Sequence, residues 1–152
     1  MARAKLKLPK KFTFTTEMDV RVSDVNYAGH LSNDKVLSFI HEARARYLQK
    51  FGYSEMDVAG RGTIMTDAVI LYKSEGFHGD KLTIDVTPAD FHKYGCDFYY
   101  RLINKKTGHE IARAKTAMVF YDYETRKMIQ APEEFVQLCA PVTVDSGSGS
   151  RQ

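Results

Sequence analysis

From Phe12 to Val22 apolar and polar side chains alternate: Phe12, Phe14, Met18, Val20 and Val22 against Thr13, Thr15, Glu17, Asp19 and Arg21. A period of two with one apolar side predicts a half-buried strand. From Asp34 to about Lys50 the period lengthens. Val36, Leu37, Ile40, Ala43, Tyr47 and Leu48 recur at three- and four-residue spacings, the stripe of an amphipathic helix. Ser32 or Asn33 is placed to cap it and Gly52 to close it. At about 1.5 Å per residue such a helix runs roughly 25 Å, enough to lie along a whole sheet. Ser54 then offers a cap for a short turn of helix, Glu55 to Ala59, ended by Gly60. Beyond Gly62 the chain reads as four strands, near 64–74, 81–91, 97–104 and 109–122. Turns separate them at 76–80 and 105–108, and another follows at 124–126. A short helix is expected over 132–138, and 146–152 reads as a flexible Ser/Gly tail.

This order predicts an α+β domain. Sequential strands with short turns make an antiparallel meander, and a helix with one apolar face must pack against it. A small sheet with open edges invites edge-to-edge pairing. The domain is expected to span 12–145, after a basic arm at 1–11 carrying Arg3, Lys5, Lys7, Lys10 and Lys11, read as solvated.

Composition excludes more than it selects. With 152 residues, 43% hydrophobic and 27% charged, the chain suits one ordinary soluble domain. No apolar run reaches the roughly 18 residues of a membrane span. The N-terminus lacks the apolar core of a secretory signal, so a cytoplasmic location is expected. A net charge of +3 is too mild to imply nucleic acid. Cys96 and Cys139 make no disulfide framework, and His41, His78, His92 and His109 have no metal-ligand spacing with them, so no metal is expected. The aromatics Phe98, Tyr99, Tyr100, Phe120, Tyr121 and Tyr123 read as core and interface.

The junction between the first strand and the long helix concentrates the chemistry. Asp24, Asn26, Gly29 and His30 precede the helix start at Ser32–Asn33. Free N–H groups at a helix start favour negative charge, such as a polarised carbonyl oxygen. The segment Arg21, Asp24, Gly29-His30, Asn33 and Glu42-Ala43-Arg44 resembles the active-site stretch of the hot-dog-fold acyl-CoA thioesterases, the 4-hydroxybenzoyl-CoA thioesterase-like family. The resemblance extends to about Met128. It implies an antiparallel curved sheet wrapped around one long α-helix, subunits joined through their sheets as a homodimer or dimer of dimers, and active sites at the interface. The implied reaction is hydrolysis of an acyl-CoA thioester, with no cofactor beyond the coenzyme A of the substrate. A backbone N–H at Gly29 or His30 is implied to bind the thioester carbonyl.

One position departs from the family. Its usual catalytic aspartate, three residues before the glycine, falls on Asn26, and an amide cannot take a proton. Asp24 is an alternative carboxylate. Asp24, Asn26 and His30 are also similar to the Asp, Asn and His set of plant acyl-carrier thioesterases, in which Asp24 orients, Asn26 holds carbonyl or water, and His30 transfers the proton. Glu42 is a further option. Each also has a bland reading: Asp24 as a turn cap, Asn26 as a left-handed turn residue, His30 as a packed side chain, and Glu42 as a partner of Arg44 or Arg46. Tyr27, Asn33, Asp67 and Tyr94 are candidates for contacting substrate. Asp67 reads equally as an outward strand residue, and Tyr94-Gly95 as a plain turn. Two other functions stay open: a hot-dog enoyl-CoA hydratase or dehydratase, whose Asp-x-Asn…His motif is approximated here, and a protein that binds acyl thioesters without cleaving them.

Overall fold

The computed structural model describes residues 2–141. The elements are β1 (Phe14–Asp19), a 3-10 turn (Val22–Asp24), α1 (Asn33–Gln49), β2 (Gly62–Tyr72), β3 (Lys81–His92), β4 (Gly95–Asn104), β5 (Glu110–Asp122), β6 (Lys127–Met128) and α2 (Glu133–Cys139). They form one antiparallel curved sheet in the order β1-β3-β4-β5-β2, with β6 on β5. The alternation expected for the strands is present: Cys96, Phe98, Tyr100 and Leu102 of β4 are buried, and the residues between them are half-buried. Leu82, Ile84 and Val86 of β3, with Ala112 and Ala114 of β5, continue that face, and α1 buries Val36, Phe39, Ile40, Ala43, Tyr47 and Leu48 in the same core. Gly95 is dictated by contact, since a Cβ there would lie 2.1 Å from the Met118 carbonyl oxygen.

Several expectations change. The strands are not a simple meander. β3, β4 and β5 are, but β2 pairs with β5 and lies at the opposite edge from β1; the segment after Tyr72 carries the chain back across the sheet. The strand also stops before Val22. Val20 exchanges bonds with Gly79 and Asp80, and Val22, 70% exposed, begins the 3-10 turn. Leu37 is outside the buried stripe and Phe39 is in it. No helix forms at 55–59. The Glu55 carbonyl accepts from the Thr63 N–H at 2.9 Å and the Thr63 hydroxyl at 2.8 Å, so a helical bond from residue 59 has no acceptor. Two tight turns stand there, with Ala59 at φ 52°. The arm is partly packed: Arg113 donates to the Leu6 carbonyl at 3.1 Å, and Arg101 lies 5.1 Å from the Phe12 ring. Its Arg3, Lys5, Lys7, Lys10 and Lys11 remain exposed. The tail expected at 146–152 lies outside the described residues.

Candidate active site

Two elements build the loop before α1. The 3-10 turn is locked by Asp24, which is 1% exposed. Its Oδ2 accepts from the Arg21 backbone N–H at 2.9 Å and from Arg21 Nε at 3.2 Å. Burial pulls the Asp24 carboxyl up, but the bonds and charge of Arg21, with Lys35 behind, outweigh it and hold it below the usual carboxylate range. After this turn, Val25 and Leu31 bridge and close a small hairpin. Within it, Asn26 N–H donates to the His30 carbonyl at 3.0 Å and Gly29 N–H to the Asn26 carbonyl at 2.9 Å. Asn26 Oδ1 accepts from Ala28 N–H at 3.0 Å. Gly29 sits at φ 85°, open to glycine and costly for most residues. Leu31 N–H donates to the Gly76 carbonyl at 2.7 Å, tying the loop to the segment between β2 and β3.

A groove of about 410 Å³ opens between this loop, the start of α1 and the end of β2. Asn26, His30, Asn33, Tyr72, Ser74 and Glu75 are among the residues lining it. His30 Nε2 lies 3.5 Å from Glu75 Oε2, and its ring meets Phe77 edge-on. Tyr72 donates its hydroxyl to the Asn33 carbonyl at 2.9 Å, pinning the helix start to β2. The His30 backbone N–H and the Asn26 side-chain N–H groups have no partner among the described residues. Chemically, such unpaired N–H groups are able to donate to an oxygen. Ser32 occupies the N-cap position, but its hydroxyl bonds to the Asp34 carboxylate and does not cap.

The predicted residues thus divide. Asn26, His30 and Asn33 come together in the groove. Asp24 is taken up by Arg21, and the Gly29 N–H is used within the turn, which leaves the amide of His30 as the free backbone donor. Tyr27 projects fully into solvent at the turn. Asp67 faces the side of the sheet away from α1 and accepts from Lys115 of the same chain at 2.7 Å. Tyr94 lies in the β3–β4 turn, its carbonyl accepting from Phe120 N–H. Glu42 pairs with Arg46, one turn along α1, at 2.9 Å. Glu75 and Tyr72 had no signal in the local sequence, because they reach the groove only when β2 packs beside α1.

An antiparallel sheet curved around one long helix, with a polar loop at the helix start, defines a hot-dog-fold protein of the thioesterase kind. Residues 20–138 match the family model described as the Thioesterase-like superfamily, and the chain belongs to that family. A 1,4-dihydroxy-2-naphthoyl-CoA hydrolase of Synechocystis sp. is 27% identical over 126 residues, covering 80% of this chain and 90% of that one. Among solved structures, a 1,4-dihydroxy-2-naphthoyl-CoA thioesterase from Synechocystis superposes with a TM-score of 0.74 at 23% identity, covering 80% of this chain and 91% of that one. A probable thioesterase from Escherichia coli gives 0.72 at 20%, covering 82% and 95%. A DHNA-CoA thioesterase from Staphylococcus aureus gives 0.70 at 21%, covering 81% and 80%. Among the described residues no helix is long and apolar enough to cross a membrane.

Proposed function

We propose that this chain hydrolyses an acyl-CoA thioester to the free acid and coenzyme A. The reading is carried by the coincidence of the family match over 20–138 with a groove that collects Asn26, His30 and Asn33. Hydrolysis needs donors for the oxyanion that forms when water adds to the carbonyl, and a group that exchanges protons near neutral pH. The His30 N–H and the amides of Asn26 and Asn33 serve as donors. The His30 ring, as imidazolium, gives a proton to the departing sulfur. Asp24 and Gly29 shape the loop. Hydrolysis calls for no cofactor, and coenzyme A enters as part of the substrate.

The working form is a homodimer, alone or within a dimer of dimers. β1 is a short edge carrying Glu17 and Asp19. β2 is an edge of 11 residues with Asp67 as its only charged side chain. Exposed Met65 and Tyr72 on β2 and Leu37 on α1 lie along it. A long, weakly charged edge is the one suited to pairing with a second copy. Two free, buried thiols, Cys96 and Cys139, agree with a reducing cytoplasmic setting.

Thiol release from a panel of aliphatic and aromatic acyl-CoAs tests the reading. The wild type is expected to release thiol from at least one substrate, and His30→Ala to lower kcat by about a hundredfold. Tight acyl-CoA binding without thiol release would point to a binding protein. Hydration of an enoyl-CoA without thiol release would point to a hydratase.

A further inference from the structure

The buried polar residues Arg44 and Thr116 belong to one chain of hydrogen bonds that leads out of the core. It starts inside the sheet, where the hydroxyls of Thr116 and Tyr100 lie 2.7 Å apart. Arg44 donates through Nη1 to the Tyr100 hydroxyl at 3.0 Å. Its Nε donates to Glu55 Oε2 at 3.0 Å, and Nη2 stands 2.9 Å from the same oxygen. The other oxygen, Oε1, lies 2.9 Å from His41 Nε2. The His41 side chain is 59% exposed and borders a second groove, of about 350 Å³, whose walls include Leu37, Met56, Ile64 and Met65.

Burying a guanidinium costs more than burying aliphatic side chains of similar volume unless every partner is in place. Here each of the three guanidinium nitrogens has a partner, and the chain ends on an imidazole at the rim of an apolar groove. Burial raises the Glu55 carboxyl, but the His41 bond and the Arg44 charge lower it further, so it is ionised at neutral pH. A carboxylate only accepts, so the His41 Nε2 beside it carries a proton, and in the neutral ring the lone pair is on Nδ1. An imidazole held by a carboxylate through one nitrogen, on a ring that lines a groove, is the arrangement of a general base.

We propose that His41 is the base that deprotonates the hydrolytic water, with Glu55 orienting it and Arg44 orienting Glu55. This rests on the hydrolase reading above. The His30 groove ends at Tyr72 and the His41 groove at Ile64 and Met65, the two ends of β2 (Gly62–Tyr72). Antiparallel pairing of two β2 edges about a two-fold axis reverses one strand against the other. The His41 groove of one copy then adjoins the His30 loop of the second. In each site, Nδ1 takes a proton as the water oxygen bonds to the carbonyl carbon. The oxyanion rests on the loop donors and collapses, the C–S bond breaks, and the leaving thiolate takes a proton from the His30 ring in its imidazolium form, which becomes neutral. The acid product ionises, His41 gives its extra proton to solvent, and His30 regains one from solvent.

The charged and titratable groups bordering His41 are Glu55 from the turns before β2, Arg44 from its own helix and Tyr123 beyond β5. For His41→Gln, kcat is expected to fall about a hundredfold or more, with KM and melting temperature near wild type, and the ascending limb of kcat/KM against pH is expected to vanish. Glu55→Gln is expected to keep that limb, since His41 is still present, and to lower kcat, since an amide does not fix the tautomer of the ring. Refolding His41→Gln together with His30→Gln is expected to restore about a quarter of wild-type activity, because mixed dimers carry one intact site. Wild-type kcat with an unchanged limb in His41→Gln, or no recovery on mixing, would overturn the proposal while leaving the hydrolase reading in place. Absence of thiol release by the wild type would sink both.

Discussion

Two histidines of this chain each face a glutamate, and the two pairs are built differently. His30 stands 3.5 Å from Glu75, whose side chain is 62% exposed, on a hairpin held mainly by its own turn bonds. His41 stands 2.9 Å from Glu55, and Glu55 is held by an arginine 6% exposed that is bonded in turn to a fully buried tyrosine. The first pair can adjust to a ligand. The second is fixed before any ligand arrives, as electrostatic catalysis requires. In the reaction proposed above, loop and helix divide the work, one holding the substrate and the other supplying an oriented imidazole.

The difference should be largest in stability. Arg44→Met leaves Glu55 and Tyr100 without their central partner, and denaturant unfolding is expected to show a loss of about 3–5 kcal/mol. A loss below about 1 kcal/mol would mean that the chain does not anchor His41. Asp24→Ala frees the Arg21 backbone N–H and unlocks the 3-10 turn, for an expected loss of about 1–2 kcal/mol in the same measurement.

Acid should act in the same direction. Asp24 and Glu55 are both held below their ordinary values of 3.8 and 4.5 in the folded protein. Their contribution is therefore complete above those values and is lost as pH falls through the lowered ones. Unfolding midpoints followed from neutral pH to about pH 3 should drop, and Glu55→Gln should drop less steeply. The smallest effect belongs to the other pair. Glu75→Gln is expected to change stability by no more than about 0.5 kcal/mol, as for an exposed ion pair. A larger loss would show that the His30 loop is anchored through Glu75 after all.

What was legible in the sequence follows from how far each signal reaches. β1, α1, β3, β4 and β5 were readable within a few residues because period-two and period-3.6 patterns are local. The neighbour of β2 was not, because a strand pattern does not name its partner. Ser54 and Glu55 looked like a helix start, but Thr63 takes the carbonyl that the helix would need. At the site, the loop from Asp24 to His30 and the helix start at Asn33 were legible as a cluster. The occupation of Asp24 by Arg21 was visible only in part, as a three-residue spacing, and its burial was not. His41 carried no signal, since its carboxylate lies on a different element, and Arg44, although part of the family-like Glu42-Ala43-Arg44 stretch, gives no hint in the sequence that it is buried behind that carboxylate. The wedge between reading and structure was tertiary contact in every case.

The difference between the two histidines is tested most directly by nitrogen-15 NMR of the imidazole rings in the folded wild-type protein, with the pH raised until both rings are neutral. His41 should show a single tautomer, protonated at Nε2 with Nδ1 unprotonated, and His30 an exchange-averaged pattern. An averaged pattern at His41, the same as that of His30, would contradict the claim that the buried chain holds one imidazole ready.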